Sequence, residues 1–159
     1  AANPSAHVVG LRYFNVYGKS EYFKGKTASM VLQFGLQMLK SGSARLFEGS
    51  DKICRDFVYI RDIVAANEAA LKAKSGVYNA ATGKARSFES IVDILAEVLD
   101  INVKKEYIPN PFTHAYQFHT QADLSKNANL EFLAKWNLEA GIADYADEIK
   151  EIFKKEQNA

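Results

Sequence analysis

Val8-Val9-Gly10-Leu11-Arg12-Tyr13-Phe14-Asn15-Val16-Tyr17-Gly18 is the stretch whose reading decides the fold. It is almost continuously apolar and rich in β-branched and aromatic residues, as a strand covered on both faces of a parallel sheet would be. This predicts a buried parallel strand ending near Asn15. Downstream, Ile53 to Ile60 alternates in part, and Val77-Tyr78-Asn79-Ala80-Ala81 reads as a short buried strand closed by Thr82-Gly83. Helical patterns lie between. Thr27 is placed to cap a helix running to about Lys40, with Met30, Val31, Phe34 and Met38 along one side and Ser41-Gly42-Ser43 at its end. From Asp62 to Ala73 a stripe of Ile63, Ala66, Ala70 and Leu71 predicts a second helix, its alanines small enough for close packing on a sheet. Strands alternating with helices predict an α/β fold, and buried strands around Val9 and Val77, separated by a strand-and-helix insertion, predict part of a doubly wound sheet.

The remainder reads as a smaller lobe beside that sheet. Arg45 to Ser50 is a short strand and turn. Ser87 caps a helix whose Phe88, Ile91, Ile94, Leu95 and Val98 fall at amphipathic spacing. Val103 to Ile108 alternates like a strand and stops at Pro109-Asn110-Pro111, where missing amide protons forbid a continuing ladder. The chain to Thr120 reads as loop, Ala122 to about Asn129 as a short helix, and Ile142, Tyr145, Ala146, Ile149, Ile152 and Phe153 as one side of a final helix.

Composition narrows the function classes. With 48% hydrophobic and 25% charged residues the chain can bury a core as one globular unit. Twenty Lys and Arg against 19 Asp and Glu leave no long-range field to gather nucleic acid or an anionic membrane, so any anion site is local. Cys54 is the single cysteine and cannot form an internal disulfide, and His7, His114 and His119 share no metal-ligand spacing with it. The expectation is a cytoplasmic, metal-free protein. No apolar run approaches a membrane span, and Ala1-Ala2-Asn3-Pro4 runs straight into a strand pattern without an initiator Met, which reads as an internal start.

Two strings carry a family resemblance. RYFNVYG (Arg12 to Gly18) resembles a strand end of the extended short-chain dehydrogenase/reductases, and RDFVYIRD (Arg55 to Asp62), in the same order along the chain, resembles that family's turn into a helix over the sheet. FKGKTAS (Phe23 to Ser29), LFEGS (Leu46 to Ser50), YIP (Tyr107 to Pro109) and YQFHTQADL (Tyr116 to Leu124) narrow the resemblance to its ADP-heptose epimerase branch. The resemblance implies the C-terminal part of an NAD(P)-binding Rossmann fold plus a small α/β substrate-binding lobe. Residues 1–22 and 55–84 would be the last strands and helix of the Rossmann domain, and residues 23–54 and 85–159 the lobe. It implies NADP as cofactor, ADP-heptose as substrate and a homo-oligomer for the full-length enzyme. By position, Asn15 would contact the sugar, Val16 and Lys24 the cofactor, and Lys24 would also be the second acid/base. Phe47, Glu48, Gly49 and Ser50 would form a substrate loop, Arg55 would bind the nucleotide diphosphate, and Tyr116 would reach the substrate. Lys26 and Gln33, also implied as substrate contacts, stand where the family pattern has Ser and His.

The chemistry explains why such residues are needed. Inverting a hydroxyl-bearing carbon requires removing hydride to the cofactor and returning it to the opposite face, while the alcohol proton leaves and comes back through general acid/base groups. Arginine suits a diphosphate because its planar fork meets two oxygens at once. From the residues alone, plainer readings compete. Lys24 and Lys26 flank Gly25 in a polar loop that could simply be solvated, Arg55-Asp56 could be a structural ion pair, and Phe47 to Ser50 an ordinary hairpin end. Tyr116 could pack its loop together with Phe112, Phe118 and His119, Cys54 could be a small strand residue, and Asn15 could cap its strand. Outside this branch, the chain could come from a hexose 4-epimerase, a nucleotide-sugar dehydratase, or a non-catalytic sugar-nucleotide binding module.

A dinucleotide site needs a glycine-rich turn at a helix N-terminus, yet no two of the nine glycines are closer than seven positions. Tyr22-Phe23-Lys24-Gly25-Lys26 spells the family's Tyr-x-x-x-Lys, but it follows the strand and contains a helix-disfavouring glycine, so it is rejected as the catalytic pair. Two expectations follow: the chain alone does not turn over substrate, and its strands leave an unpaired edge with exposed apolar surface.

Overall fold

The computed structural model describes residues 6–111, 117–125 and 127–158. Its elements are strands β1 (Val9–Tyr13) and β2 (Asn15–Tyr17), helix α1 (Met30–Ser41), strands β3 (Ser43–Phe47) and β4 (Cys54–Tyr59), helix α2 (Ile60–Ala70), strands β5 (Gly76–Ala80) and β6 (Ala85–Ser87), helix α3 (Phe88–Leu99), strand β7 (Lys104–Ile108) and helix α4 (Leu138–Gln157).

The long apolar run that opens the chain is two strands, not one. β1 pairs in parallel with β5, β2 pairs in parallel with β4, and the change of partner falls at Phe14, whose N–H still donates to Ala80 O at 3.2 Å. β4 takes β6 antiparallel on its other side, so it is the centre of a β2-β4-β6 sheet, and β3 pairs in parallel with β7. Among the described residues β1 is paired along one side only. The strands around Val9 and Val77 are therefore not covered on both faces: Tyr13 is 50% and Val77 56% exposed.

Helices α1, α3 and α4 pack on one another over a continuous core that includes Val31, Phe34, Ile91, Leu95, Ile142 and Ile149. Gly35 lets α1 approach α4 closely, since a Cβ there would lie 2.8 Å from Ile149 Cγ2. α2 instead covers β1, β2, β4 and β5, burying Ile63 and Ala66 against Val58 and Ala80. Leu71, expected on the buried stripe, falls just past the last turn of α2 and is 80% exposed.

Caps decide the helix starts. The Ser87 side chain accepts from Ser90 N as expected, whereas α1 is capped by Ser29 rather than Thr27, because Tyr22–Thr27 is a separate 3₁₀ segment. In place of the helix expected from Ala122, residues 122–125 have no regular secondary structure and Asn127–Asn129 is a 3₁₀ turn. Asn127 explains why. Its side chain accepts from Asn79 N at 3.1 Å and donates to Asn79 O at 2.6 Å, completing the edge of β5 as a strand would and leaving the segment no reason to coil. No helix among the described residues is long and apolar enough to cross a membrane, and no group of His, Cys, Asp and Glu side chains among them could hold a metal ion.

Candidate active site

Two buried carboxylates shape the loops around β2 and β4. Asp56 accepts from Thr82 N (2.9 Å) and Thr82 Oγ1 (2.6 Å) through one oxygen and from Gly83 N (2.8 Å) and Ala122 N (3.2 Å) through the other. It is fully buried, so a carboxylate there needs such donors to offset its lost hydration. Asp56 thus serves the turn after β5. Glu21, 3% exposed, does the same between β2 and α1, accepting from Gly18 N, Ser29 N and Ser29 Oγ.

The loop held by Glu21 and the start of α1 border the first of two adjoining hollows. Asn15, Val16 and Lys24 line one of about 270 Å³, together with Ser29, Met30, Phe57 and Phe88. Phe47 and Ser50 line the other, about 150 Å³ and largely apolar, with Arg45, Ile53 and again Met30 and Phe88. Ser50 Oγ is buried at this second hollow without a hydrogen-bond partner among the described residues, an uncommon state for a hydroxyl and one that a ligand oxygen or nitrogen would relieve. The Arg55 guanidinium lies 5.7 Å from the Phe88 ring centroid and donates to Cys54 O at 2.8 Å. One ring therefore touches both hollows and the arginine.

Other positions are placed differently. Lys26 and Glu48 are exposed and line neither hollow, and Gly49 is exposed with φ +76°, where it allows the tight turn that returns Ser50 inward. Gln33 donates to Ala28 O at 2.7 Å and to Lys26 O at 3.4 Å, so its amide braces the loop ahead of its own helix. Asn15 donates to Asp56 O at 3.4 Å, combining the strand-capping contact with a place in the first hollow. Tyr116, with Phe112 and His114, lies outside the described residues. The chain just after it runs beside Cys54, which donates its N–H to Phe118 O at 2.8 Å and accepts from Thr120 N at 3.1 Å.

Phe88, Met30 and Glu21 are site-forming residues that the sequence reading passed over. Phe88 and Met30 scan as core positions at helical spacing; the usable signal was that each opens a helix directly after a serine cap. Farther off, Glu89 is held below the usual carboxylate range by hydrogen bonds from Lys105 and Tyr107, and Asp144 chiefly by the Tyr59 hydroxyl. Both are joints between elements: Glu89 ties α3 to β7, and Asp144 ties α4 to β4.

The model of the NAD dependent epimerase/dehydratase family matches residues 1–81. The chain is 42% identical over 156 residues to the ADP-L-glycero-D-manno-heptose-6-epimerase of Alkalilimnicola ehrlichii, covering 91% of this chain and 48% of that protein. Among solved structures it is similar to the Helicobacter pylori ADP-L-glycero-D-manno-heptose-6-epimerase, with TM-score 0.81 and 48% identity over 89% of this chain and 44% of that one. It is also similar to the Thermotoga maritima UDP-glucose 4-epimerase solved with UDP-glucose, with TM-score 0.80 and 27% identity over 91% of this chain and 46% of that one. The chain spans about half the length of the relatives it matches.

Proposed function

We propose, since this chain belongs to the NAD dependent epimerase/dehydratase family, that it forms the substrate wall of an ADP-heptose 6-epimerase. The reaction would interconvert ADP-D-glycero-D-manno-heptose and ADP-L-glycero-D-manno-heptose at carbon six, supplying heptose for the lipopolysaccharide core in the cytoplasm. The observation that carries this reading is the convergence around Phe88. Asn15, Val16 and Lys24 share one hollow, Phe47 and Ser50, whose hydroxyl has no partner among the described residues, share the next, and the Arg55 guanidinium lies over the ring between them.

NADP would accept hydride from the substrate and return it to the opposite face. This chain would meet the cofactor at Val16 and Lys24, which line the hollow of about 270 Å³ together with Asn15. Lys24 would take and return the hydroxyl proton in one orientation of the sugar, and Asn15 would hold the sugar through its amide. Arg55 would meet the diphosphate with its fork, and Phe47 to Ser50, with Tyr116, would enclose the rest of the substrate. Lys26, from the loop, and Gln33, from α1 behind it, would tune substrate choice. In this reading residues 1–22 and 55–84 complete a Rossmann domain, residues 23–54 and 85–159 form the lobe, and the full-length enzyme is a homo-oligomer.

The test is an epimerisation assay by proton NMR on a polypeptide of the relatives' length containing this chain, given ADP-heptose with NADP, beside the 159-residue chain alone. Turnover by the longer polypeptide and none by the chain alone is expected. Turnover of UDP-glucose in place of ADP-heptose would move the assignment to a hexose 4-epimerase. Nucleotide-sugar binding without hydride exchange would reduce it to a binding module.

A further inference from the structure

We infer that Glu21 is a positioning residue, fixing the reach of the Lys24 amine into the hollow it shares with Asn15 and Val16; this rests on the acid/base reading of Lys24. Lys24 sits between two anchored points. Behind it, Glu21 Oε1 accepts from Gly18 N at 3.3 Å and Ser29 Oγ at 2.6 Å, and Oε2 accepts from Ser29 N at 2.8 Å, tying the end of β2 to the cap of α1. Ahead of it, Thr27 Oγ1 donates to Lys24 O at 2.8 Å, and the chain reverses at Gly25 with φ 54° and ψ −124°. These contacts fix the Lys24 backbone, and among the described residues its side chain pairs with Glu21 Oε2, 3.9 Å from Nζ.

The carboxylate is the fixed member of that pair. Glu21 is 3% exposed while the Lys24 side chain is 39% exposed, so the ion pair itself contributes little to stability and its effect is geometric. From α4, Glu148 accepts from Ser20 N at 2.7 Å, which anchors the start of the loop. The Tyr145 hydroxyl, buried on the same helix, has its pKa pushed up by burial and then by the Glu21 and Glu148 charges, so it stays neutral beside the carboxylate. The loop bearing Lys24 is thereby held against α4 as well as α1. A misplacement of about 1 Å at a reacting group can cost on the order of a hundredfold in rate, so an amine on a flexible four-carbon stem gains from such a post.

The experiment has two readouts, and neither depends on the other. In the 159-residue chain, site-resolved acylation by acetic anhydride gives the Lys24:Lys26 rate ratio, with Lys26 as an internal reference in the same loop. Glu21→Gln is expected to raise that ratio about threefold or more by releasing the amine, Glu21→Asp to return it toward the original, and Leu71→Ala, on the exposed side away from both hollows, to leave it unchanged. An unchanged ratio in Glu21→Gln overturns the inference. Should Glu21→Gln not fold, the unsubstituted chain decides: Lys24, held to Glu21, is expected to acylate more slowly than Lys26, and an equal or faster rate at Lys24 overturns the inference too. In the polypeptide of the relatives' length, Glu21→Gln is expected to lower kcat about tenfold with KM nearly constant, and Glu21→Asp to recover part of it. If the unsubstituted longer polypeptide turns over no nucleotide sugar, the proposed function fails, while the acylation ratio still decides the Glu21–Lys24 relation.

Discussion

The side of the molecule built by α1, α3 and α4 and the side built by β1, β5 and α2 use the same kinds of residues to different ends. On the first, Val31, Ile91, Leu95, Ile142 and Ile149 are all fully buried, each helix covering the other two. On the second, Val8, Tyr13, Val64, Leu71 and Val77 are each at least half exposed, and β1 is paired along one edge only among the described residues. The difference teaches that the same apolar patterning can accompany a covered core on one side of a molecule and an exposed face on the other. An exposed apolar patch beside an open strand edge is a surface built for contact.

Substitutions can break or sharpen that contrast. Ile142→Ala, in the covered core, is expected to lower the unfolding free energy by about 2–5 kcal/mol in urea titration. A loss below about 1 kcal/mol would mean that the three-helix core is looser than its burial implies. Asp56→Asn tests the joint between the two sides, because its carboxylate on β4 holds the turn after β5. An amide would turn a donor toward one pair of donors it now accepts from, at an expected cost of about 2–3 kcal/mol, read in the same titration. Leu71→Ala, on the exposed side, is expected to change stability by less than about 0.5 kcal/mol. It should instead reduce aggregation in light scattering, and a stability loss like that of Ile142→Ala would show that this face is covered after all.

What the sequence disclosed follows the reach of each signal. Helix α3 was readable down to its cap because both signals, the Ser87 hydroxyl and the apolar spacing from Phe88 to Val98, act within a few turns of chain. The division of the opening strand at Phe14 was not readable, since the residues on either side are equally apolar and the break is made by partners more than forty residues away. β6 was missed for the same reason: Ala85-Arg86-Ser87 has no strand pattern and is extended because β4 offers it an edge. Asn127 gave no warning that an amide side chain would stand in for a strand. At the candidate site, the polar and charged positions drew attention by chemical type, whereas Phe88 and Met30 looked like core. Glu21 was one polar residue among several in a loop, and its burial comes from contacts to Ser29 and α4 that no local pattern encodes.

Phe88 and Met30 line both hollows. Trimming the Phe88 ring would therefore enlarge both at once and remove the face that Arg55 lies over, so neither hollow can be reshaped at this position without touching the other.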